Sequence, residues 1–273
     1  MPELPEVERA ASALRAAIQD AIIERVDVLH PSLRRRVTPA TLRGLRGARV
    51  RQIERRGKHQ LIHLEDGRVI HVHFRMNGDW VIGASSDPLP RFARALFYLD
   101  HDVRVVLEDS RALSTLDVHA PGAPLPIDLG PEPSDPALTP ERLRDSLLRR
   151  RLPIKIALLD QRIIAGLGNI YAVEALWRAQ IDPRVRASSL DLVQVRRLLS
   201  AIRAVLTRAT GGRYTDGAGA RLDVYDRAGR ACRRCRGTIA RIVQSGRSTY
   251  FCPRCQRPLK LRGAGSRGAR DSK

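Results

Sequence analysis

The sequence predicts an α+β protein in three successive parts: a β-sandwich or barrel, a helical region and a small cysteine module. Three observations carry this reading. Short apolar stretches separated by turn pairs fill residues 22–118, and many short strands at that spacing suit a sandwich or barrel. Seven prolines between 121 and 140 exclude a regular element there, and helical patterning resumes beyond them. All four cysteines lie between positions 232 and 255.

Taken in order, the first element is a helix over 5–18. Val7, Ala10, Ala11, Leu14, Ala17 and Ile18 recur at helical spacing, Pro5 suits a first turn, and Glu6 and Glu8 suit its positive end. Strands are expected over 22–29, 48–55, 60–64, 68–74, 96–99 and 103–107, with turns at Asp66-Gly67 and Asn77-Gly78. Residues 121–139 read as a linker. Helices follow over 140–150, 153–159, 169–179 and 190–209. A glycine-rich stretch, 211–220, precedes the cysteine module, and the small, basic tail from 263 reads as disordered. The expected divisions are 1–120, 121–139, 140–222, 223–260 and 261–273.

The chain has 273 residues and a net charge of +20. A surplus that large favours a polyanionic partner through phosphate contacts and counterion release. DNA, RNA, a ribosome or an anionic membrane surface would each satisfy it. Only Lys58, Lys155, Lys260 and Lys273 are lysines among 49 Lys and Arg residues. Arginine preference reflects a GC-rich genome as readily as phosphate binding. It also makes each remaining lysine informative, because a guanidinium cannot give up its proton. No apolar run nears the roughly 20 residues needed to cross a bilayer. No signal peptide is recognisable, and the cysteine usage fits a reducing cytosol.

Cys232-x2-Cys235 and Cys252-x2-Cys255 are separated by sixteen residues. Two such knuckles suit one tetrahedral zinc with four sulfur ligands and no open position, hence structural; an iron–sulfur site or redox pair is the alternative. Arg230, Arg233, Arg234, Arg236, Arg241, Arg247 and Arg254 on that module would grip phosphate, or simply form a solvated basic surface. At the other end stands Met1-Pro2-Glu3-Leu4-Pro5-Glu6-Val7-Glu8. Methionine before Pro2 is normally removed, exposing a secondary amine that titrates near 8 and is partly nucleophilic at neutral pH. Glu3 beside it is placed to move a proton; otherwise these residues only start a helix. Arg56-Gly57-Lys58-His59 is a turn that either presents Lys58 to a ligand or merely joins two strands. Gly166-Leu167-Gly168-Asn169 precedes a helix whose amides suit a phosphate, or is a plain connection.

In this order, the Pro-Glu-Leu-Pro-Glu-Val-Glu opening, the Arg-Gly-Lys turn, Gly-Leu-Gly-Asn-Ile-Tyr and the cysteine finger make a combination. It resembles the formamidopyrimidine-DNA glycosylase and endonuclease VIII family over residues 1–260. The N-terminus is closer to the formamidopyrimidine branch. The resemblance implies an N-terminal β-sandwich, a helix-two-turn-helix domain and a C-terminal zinc-finger β-hairpin, with damaged double-stranded DNA in the cleft. It implies a bifunctional glycosylase and AP lyase in the bacterial cytoplasm, monomeric and associated with the nucleoid. Pro2 would be the Schiff-base nucleophile, Glu3 the proton donor in base release and Lys58 the proton donor for β-elimination. Arg247 would serve δ-elimination and phosphate binding. Met76 would fill the void left by the flipped base, Arg111 would face the partner base, and Leu113 would wedge beside it. Arg150, Lys155 and Asn169 fall at DNA-binding positions.

The stretch Glu108-Asp109-Ser110-Arg111-Ala112-Leu113-Ser114 departs from the family pattern Asp-Pro-Arg-Arg-Phe-Gly. Leu113 is still an apolar wedge, but it lacks the ring whose stacking is worth about 1–3 kcal/mol. Phe92 stands where the branch often carries histidine, and 211–221 is short for a loop that caps 8-oxoguanine. These departures imply better processing of abasic, ring-opened and ring-saturated sites than of 8-oxoguanine opposite cytosine. The alternatives are an endonuclease VIII-like enzyme for oxidised pyrimidines, a weakly catalytic damage-binding member, and an unrelated zinc-ribbon RNA-binding protein.

Overall fold

A computed structural model describes residues 2–209 and 222–257. The segment at 211–221, read as short for a capping loop, and the tail at 261–273 lie outside the described residues. Helix α1 (Leu4–Ile18) starts at a capping box formed by Glu3 and Glu6. It buries Val7, Ala10, Ala11, Leu14 and Ile18, the face its periodicity predicts.

Two four-stranded antiparallel sheets follow. One has the order β1 (Ile23–Val28), β6 (Ala93–Leu99), β7 (Val103–Glu108), β5 (Asp79–Ala84). The other has the order β2 (Val50–Arg56), β3 (His59–Leu64), β4 (Val69–His73), β8 (Thr115–His119). Between them Ile53, Ile62, Ile70, Phe74, Phe97, Val105 and Leu116 are all buried, so the first module is a sandwich. Trp80 lies edge-on to Phe74 and Phe97, and its indole N–H donates to the buried Gln60 carbonyl at 2.8 Å.

Three features differ from a plain succession of strands. Helices α2 (Pro31–Arg34) and α3 (Pro39–Gly44) interrupt the sheet region, each with proline in its first turn after a capping side chain, His30 or Thr38. Asn77-Gly78 is a turn, but the strands it joins belong to different sheets, so the chain crosses the sandwich there. Met76 in that crossover is half-buried and outside the core.

Residues 121–139 contain no helix or strand, as the prolines dictate, yet they are fastened down. Arg203 donates to the carbonyls of Pro133 and Leu138 at 2.8 and 2.9 Å. Beyond them come α4 (Pro140–Leu148), α5 (Ile154–Ala157), α6 (Asn169–Arg178) and α7 (Leu192–Ala209), sharing a core that includes Leu143, Leu167, Leu176, Leu198 and Ile202. The helix expected over 153–159 is a single turn. Strands β9 (Ala240–Gln244) and β10 (Arg247–Phe251) make a hairpin through Ser245-Gly246. Its Tyr250 packs with Val173 and Trp177 of α6, which seats the finger on the helical region.

Candidate active site

Three segments distant in sequence meet at the N-terminus. Leu4 N–H donates to the Gly166 carbonyl at 3.0 Å, which lays the first residues against the loop before α6. Glu3 is fully buried, and its carboxylate accepts from the Ile170 and Tyr171 amides at 2.8 and 3.3 Å. The first turn of α6 therefore holds the protein's own carboxylate, where the sequence suggested room for a phosphate. A side chain at Gly168 would collide with the Glu3 carboxyl, so glycine is required there by close approach. Asn169 does not cap the helix; its amide donates to the Ser248 carbonyl at 3.0 Å and links α6 to the finger.

Burial raises the Glu3 pKa; Lys58 and the two amides oppose this without overcoming it. Glu6 completes the arrangement by accepting from the Glu3 N–H at 2.9 Å and from the Tyr171 hydroxyl. Sequence reasoning gave Glu6 only to the helix end. Its spacing of three from Glu3 is the legible signal, whereas nothing near Tyr171 signals that contact.

Lys58 sits at the tip of the β2–β3 hairpin, where Gly57 has φ +58°. A Cβ at Gly57 would come within 2.9 Å of the Leu129 side chain. Glu132, from the proline-rich segment, accepts from the Gly57 N–H at 2.7 Å and forms a two-pronged ion pair with Arg55 at 2.6 and 2.8 Å. Arg55 also pairs with Glu8 of α1. The turn is thus braced from both sides, by Glu8 of the N-terminal motif and by Arg55 and Glu132, which no motif singled out. Burial lowers the Lys58 pKa, Glu3 raises it, and Arg247 lowers it again.

Lys155 is fully buried, and its Nζ has no hydrogen-bond partner among the described residues. Burial, followed by the charge of Arg247, lowers its pKa to about 8. Arg247 is exposed at the start of β10 and acts electrostatically on both lysines. Pro2, Glu3, Lys58, Lys155, Asn169 and Arg247 therefore gather in one region. Arg150 does not extend a free side chain; it pairs with Asp160 at 3.0 Å.

Met76, Arg111 and Leu113 lie on two loops beside each other. Arg111 is exposed and Leu113 is 45% exposed despite being apolar. The buried Asp109 shapes their loop: its carboxylate accepts from the amides of Arg111, Leu113 and Ser114 at 2.7–2.9 Å. Those amides lower its pKa although burial opposes them. His59, His71, His73 and His119 line up on the neighbouring sheet with ring centroids 4.8–5.7 Å apart. Sequence reasoning missed this row, although His59 and His73 flank the Lys58 turn and the Met76 loop.

The four cysteine sulfurs lie within 4.8 Å of one another, with Cys232–Cys255 and Cys235–Cys252 at 3.9 and 3.4 Å. A tetrahedral zinc with bonds of about 2.3 Å needs sulfurs about 3.8 Å apart, so the residues fit the metal. Trp177 N–H donates to the Cys232 sulfur at 3.4 Å, a hydrogen bond that holds the sulfur in place and favours its thiolate form. Several finger arginines are already engaged: Arg233 with Asp223, Arg254 with the Cys235 carbonyl, and Arg234 with backbone carbonyls and the Trp177 face.

Family models match nearly the whole of this architecture. Residues 1–116 match the formamidopyrimidine-DNA glycosylase N-terminal domain, 129–216 its H2TH domain, and 229–258 a zinc finger found in FPG and IleRS. The chain belongs to the formamidopyrimidine-DNA glycosylase family. The formamidopyrimidine-DNA glycosylase of Paracoccus denitrificans is 41% identical over 280 residues, covering 94% of this chain and all of that one. That of Symbiobacterium thermophilum is 40% identical, covering 94% and 89%. Among solved structures, the Lactococcus lactis Fpg bound to DNA containing an abasic site superimposes with a TM-score of 0.87 at 29% identity, covering 94% of this chain and all of that one. A MutM complex with DNA containing carbocyclic 8-oxo-G gives the same score, identity and coverage. With the zinc-finger match, the cysteine cluster is the site of one structural zinc. No described helix is long and apolar enough to cross a membrane.

Proposed function

We propose that this chain is a bifunctional DNA glycosylase and AP lyase of base excision repair, acting on oxidised bases in double-stranded DNA as a monomer in the bacterial cytoplasm, at the nucleoid. The observation that carries the mechanism is the buried Glu3 carboxyl, held by two α6 amides beside Pro2 and facing Lys58. Its pKa is raised, so it can hold a proton next to the reacting amine and deliver it. With Met1 removed, the Pro2 nitrogen bonds to C1′ of the flipped nucleotide and the C1′–base bond breaks. The base leaves with a proton delivered through Glu3. Opening of the sugar, with a proton passing to O4′, gives an iminium between Pro2 and C1′. Loss of a C2′ proton then expels the 3′ phosphate, the step Lys58 serves. Arg247, at the mouth of the site, holds phosphate and serves the second elimination. The four cysteines hold zinc that stiffens the β9–β10 hairpin carrying Arg247; the metal takes no part in the chemistry. The division at 1–120, 121–139, 140–222 and 223–260 is the functional one: catalytic sandwich, strap, DNA-binding helices and finger.

Met76, Arg111 and Leu113 enter the duplex in place of the flipped base. The exposed Leu113 gives weaker stacking than a ring, so lesions that are cheap to flip are favoured. Abasic and ring-opened or ring-saturated sites are processed faster than 8-oxoguanine opposite cytosine. Borohydride trapping tests the core of this reading. Mature protein should become covalently fixed to an abasic duplex, and protein carrying an N-terminal extension should not. Strand cleavage at full rate by the extended protein would overturn the proline mechanism. Cleavage and trapping both absent from the mature protein would favour a damage-binding member without turnover.

A further inference from the structure

Two loops project on the same side of the sandwich, the crossover bearing Met76 and the Asp109–Ser114 segment bearing Arg111 and Leu113. Each is internally fixed. In the first, Gly78 N–H donates to the Phe74 carbonyl at 3.1 Å and Arg75 N–H donates to His73 Nδ1 at 2.9 Å. In the second, Asp109 gathers the amides of Arg111, Leu113 and Ser114 on its carboxylate and that of Ala112 on its carbonyl.

Two serines join the loops. The Ser114 hydroxyl is buried between the Phe74 carbonyl, 3.1 Å away, and the Asp109 carboxylate, 2.8 Å away, and its one proton is shared between them. It fills the space above Gly78: a Cβ there would sit 2.5 Å from the Ser114 oxygen. At the open end of the pair, the Asn77 side-chain amide donates to the Ser110 hydroxyl at 3.3 Å. Ser110 and Ser114 are thus the two side chains of this segment that reach the Met76 loop.

We propose that Ser110 and Ser114 are positioning residues that lock the Met76 loop to the Arg111–Leu113 loop, so that the two probes enter the duplex as one pre-set unit. The lock compensates for the missing aromatic wedge. A leucine gains little from stacking, so its contribution depends on being held in place before insertion rather than ordered during it. This rests on the proposed roles of Met76 and Leu113.

The test compares single-turnover excision of 8-oxoguanine opposite cytosine with cleavage at a preformed abasic site, using mature protein reconstituted with zinc. Ser110→Ala, Asn77→Ala and Ser110→Ala/Ser114→Ala should lower the first rate relative to the second, the double variant by about five- to tenfold, as loss of two weak hydrogen bonds predicts. Ser110→Thr, which keeps the hydroxyl, should restore the ratio. In the parent, Met76→Ala and Leu113→Ala should be non-additive on that ratio, and additive once both serines are replaced. Asn77→Ala and Ser110→Ala change only exposed side chains, so they keep the test valid if the buried Ser114 variant fails to fold. An unchanged ratio in the serine and asparagine variants, with Met76→Ala still lowering it, would overturn the lock alone. If Met76→Ala and Leu113→Ala also leave the ratio unchanged, the insertion reading itself falls.

Discussion

Lys155 is an amine with no partner among the described residues and no exposure, an arrangement that costs folding energy. Its pKa falls from 10.5 to about 8 on folding. Between those values the unfolded chain binds a proton that the native state does not, so stability falls as pH drops from 10.5 to 8 and is level below. At neutral pH the full cost is present. Lys155→Met should therefore stabilise the protein at pH 7 by about 1–3 kcal/mol, with the gain shrinking as pH rises from 8 toward 10. Urea denaturation across that range checks it. The same variant should slow base excision, because the charge it removes faces Glu3 and Arg247 in the site. Greater stability with lower activity is the pattern of a residue retained for function.

At the level of elements, the β2–β3 hairpin tip depends on one glycine and one acid. Gly57→Ala puts a side chain at φ +58° and against Leu129. It should cost about 1–2 kcal/mol and displace Lys58, lowering excision more than DNA affinity. Glu132→Gln leaves Glu8 as the one carboxylate partner of Arg55, besides the Gly57 carbonyl it donates to, in a half-buried site. It should lower stability by about 3 kcal/mol, measurable as a shift in the thermal midpoint, although Glu132 lies in the segment with no helix or strand. The finger obeys a different rule, because its small core centres on the metal ligands themselves. Cys235→Ser should bring zinc well below one per chain and weaken DNA binding. The cooperative unfolding of the sandwich, with its own core, should survive.

For the molecule as a whole, the histidine row sets the acid limit. Burial, followed by neighbouring positive groups, lowers His59 to about 4 and His73 to about 3, and His71 is lowered too. The His59 and His73 rings are neutral in the native protein at neutral pH and protonate near 6.5 when unfolded. Their stabilising effect is complete above 6.5 and is lost as pH falls through 6.5 toward 3–4. The thermal midpoint should drop by roughly several degrees between pH 7 and pH 5, and His59→Asn should flatten that dependence. Activity should fall over the same range, since Lys58 and the Met76 loop flank the row. A midpoint independent of pH between 5 and 7 would contradict the lowered pKa values of His59 and His73.

What the sequence determined by itself is what repeats or pairs over a short span. The apolar face of α1, the Glu3–Glu6 capping box, the Gly57-Lys58 turn and the two cysteine pairs are set by residues a few positions apart. Their geometry follows from helix pitch, turn stereochemistry and ligand spacing. Only the tertiary structure decided which of these face one another. Glu3 meets the amides of Ile170 and Tyr171, Arg55 meets Glu132, and Ser114 closes on Phe74 where β8 starts beside the end of β4. No period in the sequence connects such positions. They are joined by packing three cores and closing long loops, whose entropy changes only slowly with length and so leaves little trace in composition. The same logic explains the helix N-terminus read as a phosphate site. Its free amides were legible, but the carboxylate that occupies them arrives from the N-terminus, 167 residues away.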